Sequence, residues 1–260
     1  MLWYKAWLET RFRFLLGAAM IVACCAFFVL GNPFILGTWR EWQRLHPNEI
    51  ELDWIVRATS DYPFFIWHFL FQIFLQQLWV LFAVLISFGG IARESAQGTA
   101  GFTLSLPVSR QRLVSVRAAV GLVEMAALGL IPAVLIPTLS IFIGKPYPLM
   151  QGISHVLLMT LAGSLFFSLG LLLSTVIQSE HAPTLIGVTI VAFFYFVFQP
   201  YADGAQEPFW LKPFDLQKVM AGAPDLSSLT NFPLSGACFS LLAACTLFYL
   251  SLKITERLDY

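Results

Sequence analysis

Charge is scarce in this sequence. Asp, Glu, Lys and Arg make up 12% of its 260 residues, against about 25% in average soluble proteins. Hydrophobic residues make up 58%. One soluble core cannot bury that much apolar surface, so a bilayer is the implied solvent. The few charges balance to zero. That removes the basic surplus that nucleic-acid binding requires, and no nucleic-acid partner is expected. Cysteine offers no framework either. Cys24 and Cys25 are adjacent in one apolar run, and Cys238 and Cys245 lie two helical turns apart in another. Such cysteines pack as small apolar residues, and no histidine stands near them in sequence to complete a metal site.

Catalytic motifs are missing as well. There is no G-x-x-x-x-G-K-[ST] phosphate loop. Gly144-Lys145 has Leu139 where the earlier glycine is required. H-E-x-x-H and G-x-S-x-G are absent, and His46, His68, His155 and His181 are scattered. A catalytic site and a metal site are therefore not expected. No cleavable signal peptide is expected, because the first fourteen residues carry charge throughout.

What the chain has in quantity is long apolar runs. A spanning helix needs about 20 apolar residues. Six such runs are expected as spans, at about 14–36, 64–91, 113–143, 153–177, 184–201 and 234–252. The third carries Pro132 and Pro137, which predict a bend near its far end. The expected fold class is all-α, a polytopic membrane helix bundle forming a single transmembrane domain over 1–260. Six spans put both termini on one side. With that side inside, the inner segments hold Lys5, Arg11, Arg13, Arg93, Arg110, Arg112, Arg117, Lys253 and Arg257. The outer ones hold Arg40, Arg44, Arg57, Lys145, Lys212 and Lys218. The excess is in the direction that the positive-inside rule requires.

Residues 1–13 predict an amphipathic interfacial helix. Trp3, Trp7, Thr10 and Phe14 share one face, and Lys5, Glu9 and Arg13 the opposite one. It is either a plain anchor in the headgroup region or a surface for a cytoplasmic partner. Two outer segments, 37–63 and 202–233, are long and aromatic. They read as interface belts, or as a lid or re-entrant hairpin, with a short helix over Asp215–Ala221.

Polar residues inside the runs are few enough to name. His68, Gln72 and Gln76 recur every four residues in the second run, with Gln77 beside them. They are interhelical hydrogen-bonding residues or the lining of a substrate path. Glu124 is the clear intramembrane acid, a group that costs about 3 kcal/mol to insert. It pairs with another helix or belongs to the path. Arg117 is on the same face but about 10 Å away by helical rise, so direct pairing is strained. Ser164 and Ser168, and Gly236, Ser240 and Ala244, form small-residue faces suited to close packing.

The stretch 92–112 interrupts the apolar pattern. Glu94 to Gln97 continue a turn, Gly98-Thr99 breaks it, and Phe102, Leu104 and Leu106 form a small apolar set. Pro107-Val108-Ser109 stops that piece, and Ser109 is placed to cap the next helix. Arg110, Arg112 and Arg117 then anchor that helix at the inner leaflet. Physically the stretch is either an interfacial turn or a docking surface.

Glu94, Gly98, Thr99, Leu104, Pro107, Val108, Ser109, Arg110 and Arg117 follow an order that resembles the cytoplasmic loop of ABC-2 type exporter permeases. The charged opening MLWYKAWLETRFRF, the six spans and the long segment before the last are similar to that family too. Ala96, Ala100 and Gly101 depart from it, standing where the family often has acidic or bulky residues.

The resemblance implies a transmembrane permease subunit of an ATP-driven exporter moving a lipid, drug or peptide. The loop would dock on a separate ABC ATPase subunit through Glu94, Gly98, Thr99, Pro107, Ser109, Arg110 and Arg117. His68, Gln72, Gln76 and Glu124 would be candidates for the path. No cofactor is expected in this chain, since ATP and magnesium would be bound by the partner. A second permease copy or a paralogue, and membrane lipids, would complete the assembly. The site of action would be the bacterial inner membrane, with both termini cytoplasmic. Two alternatives belong to other classes. One is a non-transporting sensor or scaffold bound to the same ATPase. The other is a membrane-embedded lipid-modifying enzyme, which would need paired acids or histidines at one depth where the sequence offers Glu124.

Overall fold

The computed structural model describes residues 2–45, 53–89, 94, 98, 101, 108–177, 179, 181–193, 215–226 and 231–257. Helices account for nearly all of them, and no strand occurs among the described residues. They are α1 (Leu2–Leu30), α2 (Asn32–Leu45), α3 (Asp53–Ser60), α4 (Tyr62–Ser87), α5 (Arg110–Phe142), α6 (Leu149–Val176), α7 (Ala182–Phe193), α8 (Leu216–Ala221) and α9 (Leu234–Arg257). Five of these, α1, α4, α5, α6 and α9, are long and apolar enough to cross a membrane. α7 is a shorter apolar helix that begins the run expected at 184–201, and the rest of that run lies outside the described residues.

The separate interfacial helix expected at 1–13 is not separate. α1 runs unbroken from Leu2 to Leu30. No glycine or proline stands between Leu2 and Leu16 to end it, and at 1.5 Å per residue 29 residues reach about 44 Å, longer than a bilayer core of about 30 Å. The charged first turns are therefore an extension of the span. α5 overshoots in the same way, with 33 residues that pass through Pro132 and Pro137 as one helix. Its start is fixed by Ser109, whose hydroxyl accepts from the Arg112 amide at 3.3 Å.

The core lies between α4, α5 and α6. Trp79, Phe82, Leu75, Leu128 and Leu158 are almost fully enclosed. Two glycines create the room: a Cβ at Gly163 would enter the Trp79 indole, and one at Gly121 would enter the Phe167 ring. α1 packs antiparallel to α4, with Phe28 beside Phe69 and Phe74 near one end and Gly17 against Phe82 further along. The small face of α9, Gly236, Ser240 and Ala244, is buried as expected, and Gly236 sits against Val219 of α8. Large residues of α1, α5 and α9 such as Phe12, Val123 and Leu242 stay exposed, as lipid-facing residues do.

Within α4, Ile66–Leu75 is a π-helix of ten residues. Such wide turns mark functional sites more often than plain helix does, and here the segment carries His68 and Gln72 and leads into Gln76.

Candidate functional site

Two polar constellations stand inside this apolar bundle, one at each end. The first gathers at the end where α1 and α5 begin and α4 finishes. Lys5, Glu9 and Arg13 are four residues apart on α1, beside the buried Ala6 and Thr10; Lys5 and Arg13 are half-buried and Glu9 is exposed, yet each reaches another segment through a polar contact. The polar residues of α1 thus border the face that packs against the bundle. Arg13 Nη1 donates to the carbonyls of Leu85 and Phe88, each at 2.7 Å. Those carbonyls belong to the last turn of α4 and the residue beyond it, where helical partners run out. Arg117 Nη2 donates to the same Phe88 carbonyl at 2.5 Å, and its Nη1 pairs with Glu9. Lys5 sits 2.5 Å from Glu94 and 4.0 Å from Glu9. The result is a chain of alternating charge, Glu94, Lys5, Glu9, Arg117, that ends on the α4 backbone.

Gly89 completes this corner. Its φ is +130°, and a Cβ there would lie inside the Arg117 guanidinium. Only glycine combines that backbone with so close an approach. Thr10, next to Glu9, donates to Glu124 Oε1 at 2.5 Å, about two turns along α5 from Arg117, joining α1 to α5. Glu124 therefore bonds another helix, and Arg117 is committed to Glu9 and Phe88. At the same end the start of α5 meets the end of α9, where Gln111 donates to Glu256. The N-terminal segment, the start of α5 and the C-terminal helix thus share one end of the bundle with Glu94.

The second constellation is at the opposite end, around α8. This helix has six residues and is capped by Asp215, which accepts from the Lys218 amide at 3.1 Å. It lies against α4, α6 and α9 with Val219, Met220 and Ala221 buried. A short buried helix leaves carbonyls that need donors, and the spans supply them. Trp67 Nε1 donates to Ala221 O at 3.1 Å and Gly222 O at 3.2 Å. His155 Nδ1 is 3.2 Å from Ala221 O, Gln76 Nε2 donates to Gln217 O at 3.1 Å, and Gln151 donates to Pro224 O. The helix expected at Asp215–Ala221 is thus present and covered by protein.

The residues singled out from sequence separate accordingly. Gln76 is fully buried against α8, while His68 and Gln72 are half-buried and bonded to each other at 3.0 Å. Gln76 thus bonds α8, whereas His68 and Gln72 bond each other. Glu94 and Arg117 belong to the first constellation. Ser109 and Arg110 lie at the start of α5, and Gly98 is a turn residue with φ +72°. Thr99 and Pro107 lie outside the described residues. Thr10, Trp67 and His155 also join these constellations, and no motif in the sequence marks them. Lys5, Glu9 and Arg13 carried a usable signal, a plus-minus-plus stripe at four-residue spacing, which favours ion pairing along and across helices.

No individually curated protein matches the chain. The model of a family described as ABC-2 family transporter protein matches residues 14–256, nearly the whole sequence. The chain therefore belongs to the ABC-2 transporter family and is a multi-pass membrane permease.

Proposed function

We propose that this chain is the membrane-spanning subunit of an ATP-driven exporter whose segment 93–112 receives the stroke of a separate ABC ATPase. The cargo class is amphipathic or hydrophobic: a lipid, drug or peptide. The permease works with a second copy or a paralogue in the bacterial inner membrane, with both termini on the cytoplasmic side. ATP and magnesium belong to the partner, and the helices of this chain convert its closure into rearrangement of the bundle.

The observation that carries this reading is the charge chain from Glu94 through Lys5 and Glu9 to Arg117. A push on the loop at Glu94 reaches α1 through Lys5, α5 through Arg117 and α4 through the Phe88 carbonyl. Three spans are thereby tied to one loop residue. A scaffold or sensor has no need of a linkage into three spans, and a lipid-modifying enzyme gains nothing from placing it far from any nucleophile.

The test uses the permease reconstituted with its ATPase, read by permease-dependent stimulation of ATP hydrolysis. Lys5→Glu and Glu94→Lys each place like charges together and are expected to lower the stimulation at least fivefold. The double swap is expected to restore most of it. The pair is partly exposed, so its removal costs folding only about 0–1 kcal/mol and unfolding will not mimic the effect. Full stimulation in both single variants would show that the stroke does not enter at Glu94.

A further inference from the structure

At the end of the bundle opposite Glu94 lies a group of donors with too few acceptors. Lys145, just beyond α5, donates from Nζ to Asn32 Oδ1 at 2.7 Å and sits 5.5 Å above the Tyr62 ring. Tyr62 in turn bonds Ser140 at 2.7 Å and meets Tyr147 edge to face, ring centroids 6.5 Å apart. Arg40, from α2, is close enough for its charge to oppose that of Lys145. Burial pushes the Lys145 ammonium below its ordinary value, and Arg40 pushes it lower. No carboxylate pairs with Lys145 among the described residues.

Two further donors belong to residues linked to Lys145, Asn32 by its hydrogen bond and Tyr147 through Tyr62. Asn32 is fully enclosed, and its Nδ2 has no partner. Tyr147 is enclosed too, and its hydroxyl has no partner; burial pushes its pKa above the ordinary tyrosine value, so it remains an O–H donor. Among the described residues, the Lys145 ammonium thus feels the Arg40 charge with no carboxylate paired to it, beside two buried donors with no acceptor, and an anionic ligand would meet both needs. A water satisfies donors but not charge. A phosphate group offers both the negative charge and several acceptor oxygens.

We propose that Lys145, Arg40, Asn32 and Tyr147 form a binding site for the phosphate of an anionic phospholipid headgroup. The neighbouring chain favours a lipid as the source over a soluble phosphate. Phe34 lies two residues from Asn32, and Ile141 and Phe142 lie just before Lys145; all three are largely exposed. A headgroup on the cations would leave its acyl chains beside these residues at the membrane boundary. This site is independent of the coupling segment and does not rest on the ATPase reading.

The experiment uses the full chain in phosphatidylcholine nanodiscs doped with phosphatidylglycerol. Native mass spectrometry counts the phosphatidylglycerol retained after detergent release. One molecule per chain, saturable, is expected for the unaltered protein. Lys145→Gln, which keeps a neutral bond to Asn32, and Arg40→Gln are each expected to weaken retention about fivefold, the effect of one basic residue near a lipid surface. Lys145→Arg should restore it, and Arg44→Gln, on the same helix as Arg40, should leave it unchanged. A melting midpoint in pure phosphatidylcholine checks that each variant is folded. Equal retention by Lys145→Gln and the unaltered protein overturns the site. Displacement of phosphatidylglycerol by millimolar inorganic phosphate overturns the lipid assignment and makes soluble phosphate the ligand.

Discussion

Gly89 is the residue on which the loop-end geometry depends most directly. Its positive φ excludes other side chains, and the Arg117 guanidinium occupies the place of a Cβ. Gly89→Ala must therefore strain the backbone and push Arg117 off the Phe88 carbonyl and Glu9. The expected loss is about 1–3 kcal/mol for the strained backbone alone, read as a lower melting midpoint of the purified protein. Arg117→Lys tests the same corner differently. A lysine carries a compact charge in place of a planar fork and cannot serve Glu9 and the Phe88 carbonyl in the same geometry. The variant should melt lower than the unaltered protein and higher than Arg117→Leu, which leaves the Phe88 carbonyl to Arg13 alone and Glu9 to the more distant Lys5. Equal midpoints for Lys and Leu would mean that charge at this position is irrelevant. Glu124 was legible in the sequence as an anomaly, but its partner was not. Thr10 lies 114 positions away, and only the packing of α1 on α5 brings the two together. Glu124→Gln keeps a hydrogen-bonding end toward Thr10 and should preserve stability within about 0.5 kcal/mol, as a substitution that keeps its bond does. Glu124→Leu removes the acceptor and should destabilise by about 1 kcal/mol.

At the scale of elements, α8 is the one that the spans hold by its backbone. Three side chains of α4 and α6, Trp67, His155 and Gln76, bond carbonyls of Gln217, Ala221 and Gly222. If these bonds seat the helix, Trp67→Phe and Gln76→Leu should loosen it by about 1–3 kcal/mol for each buried carbonyl left without a donor. A cysteine placed at Asp225 would then react faster with a soluble maleimide in those variants than in the unaltered background, with the native cysteines replaced. No change in rate would mean that packing of Val219 and Met220 alone holds α8. The helix itself could be read from sequence, because Asp215 is a strong cap and Gly222 a natural stop. Its depth could not, since the donors that make burial tolerable come from residues more than 60 positions away. The five long spans were legible for a simpler reason: length and hydropathy decide them locally. Local evidence does not tell a separate N-terminal helix from an extension of the first span: the amphipathic pattern is the same, and only the continuous α1 with Lys5 and Arg13 bonded to other segments decides it.

For the whole molecule, the contacts fix which described segments share an end, and charge sets the expectation of which end faces the cytoplasm. Lys5 meets Glu94, and Gln111 meets Glu256, so the N-terminal segment, the loop and the C-terminal helix travel together. Asp225 and Lys145 lie at the other end, beyond α8 and α5. The inner set of basic residues is the larger one, and moving a basic residue across the bilayer core is disfavoured enough to set orientation. The expected arrangement has Glu94 and Arg257 inside and Asp225 outside. Single cysteines at Gln111 and Asp225, in a background with the native cysteines replaced, should divide cleanly in intact cells. A membrane-impermeant maleimide added outside should label Asp225→Cys and leave Gln111→Cys untouched until the membrane is opened. Labelling of both from outside would contradict the bundle itself, because the two positions would then share a side. Labelling of Gln111→Cys alone would keep the bundle and invert it, placing segment 93–112 where no ATP-driven partner could reach it. The second outcome would remove the coupling role while leaving the family assignment intact, so orientation and mechanism stand or fall on one pair of labels.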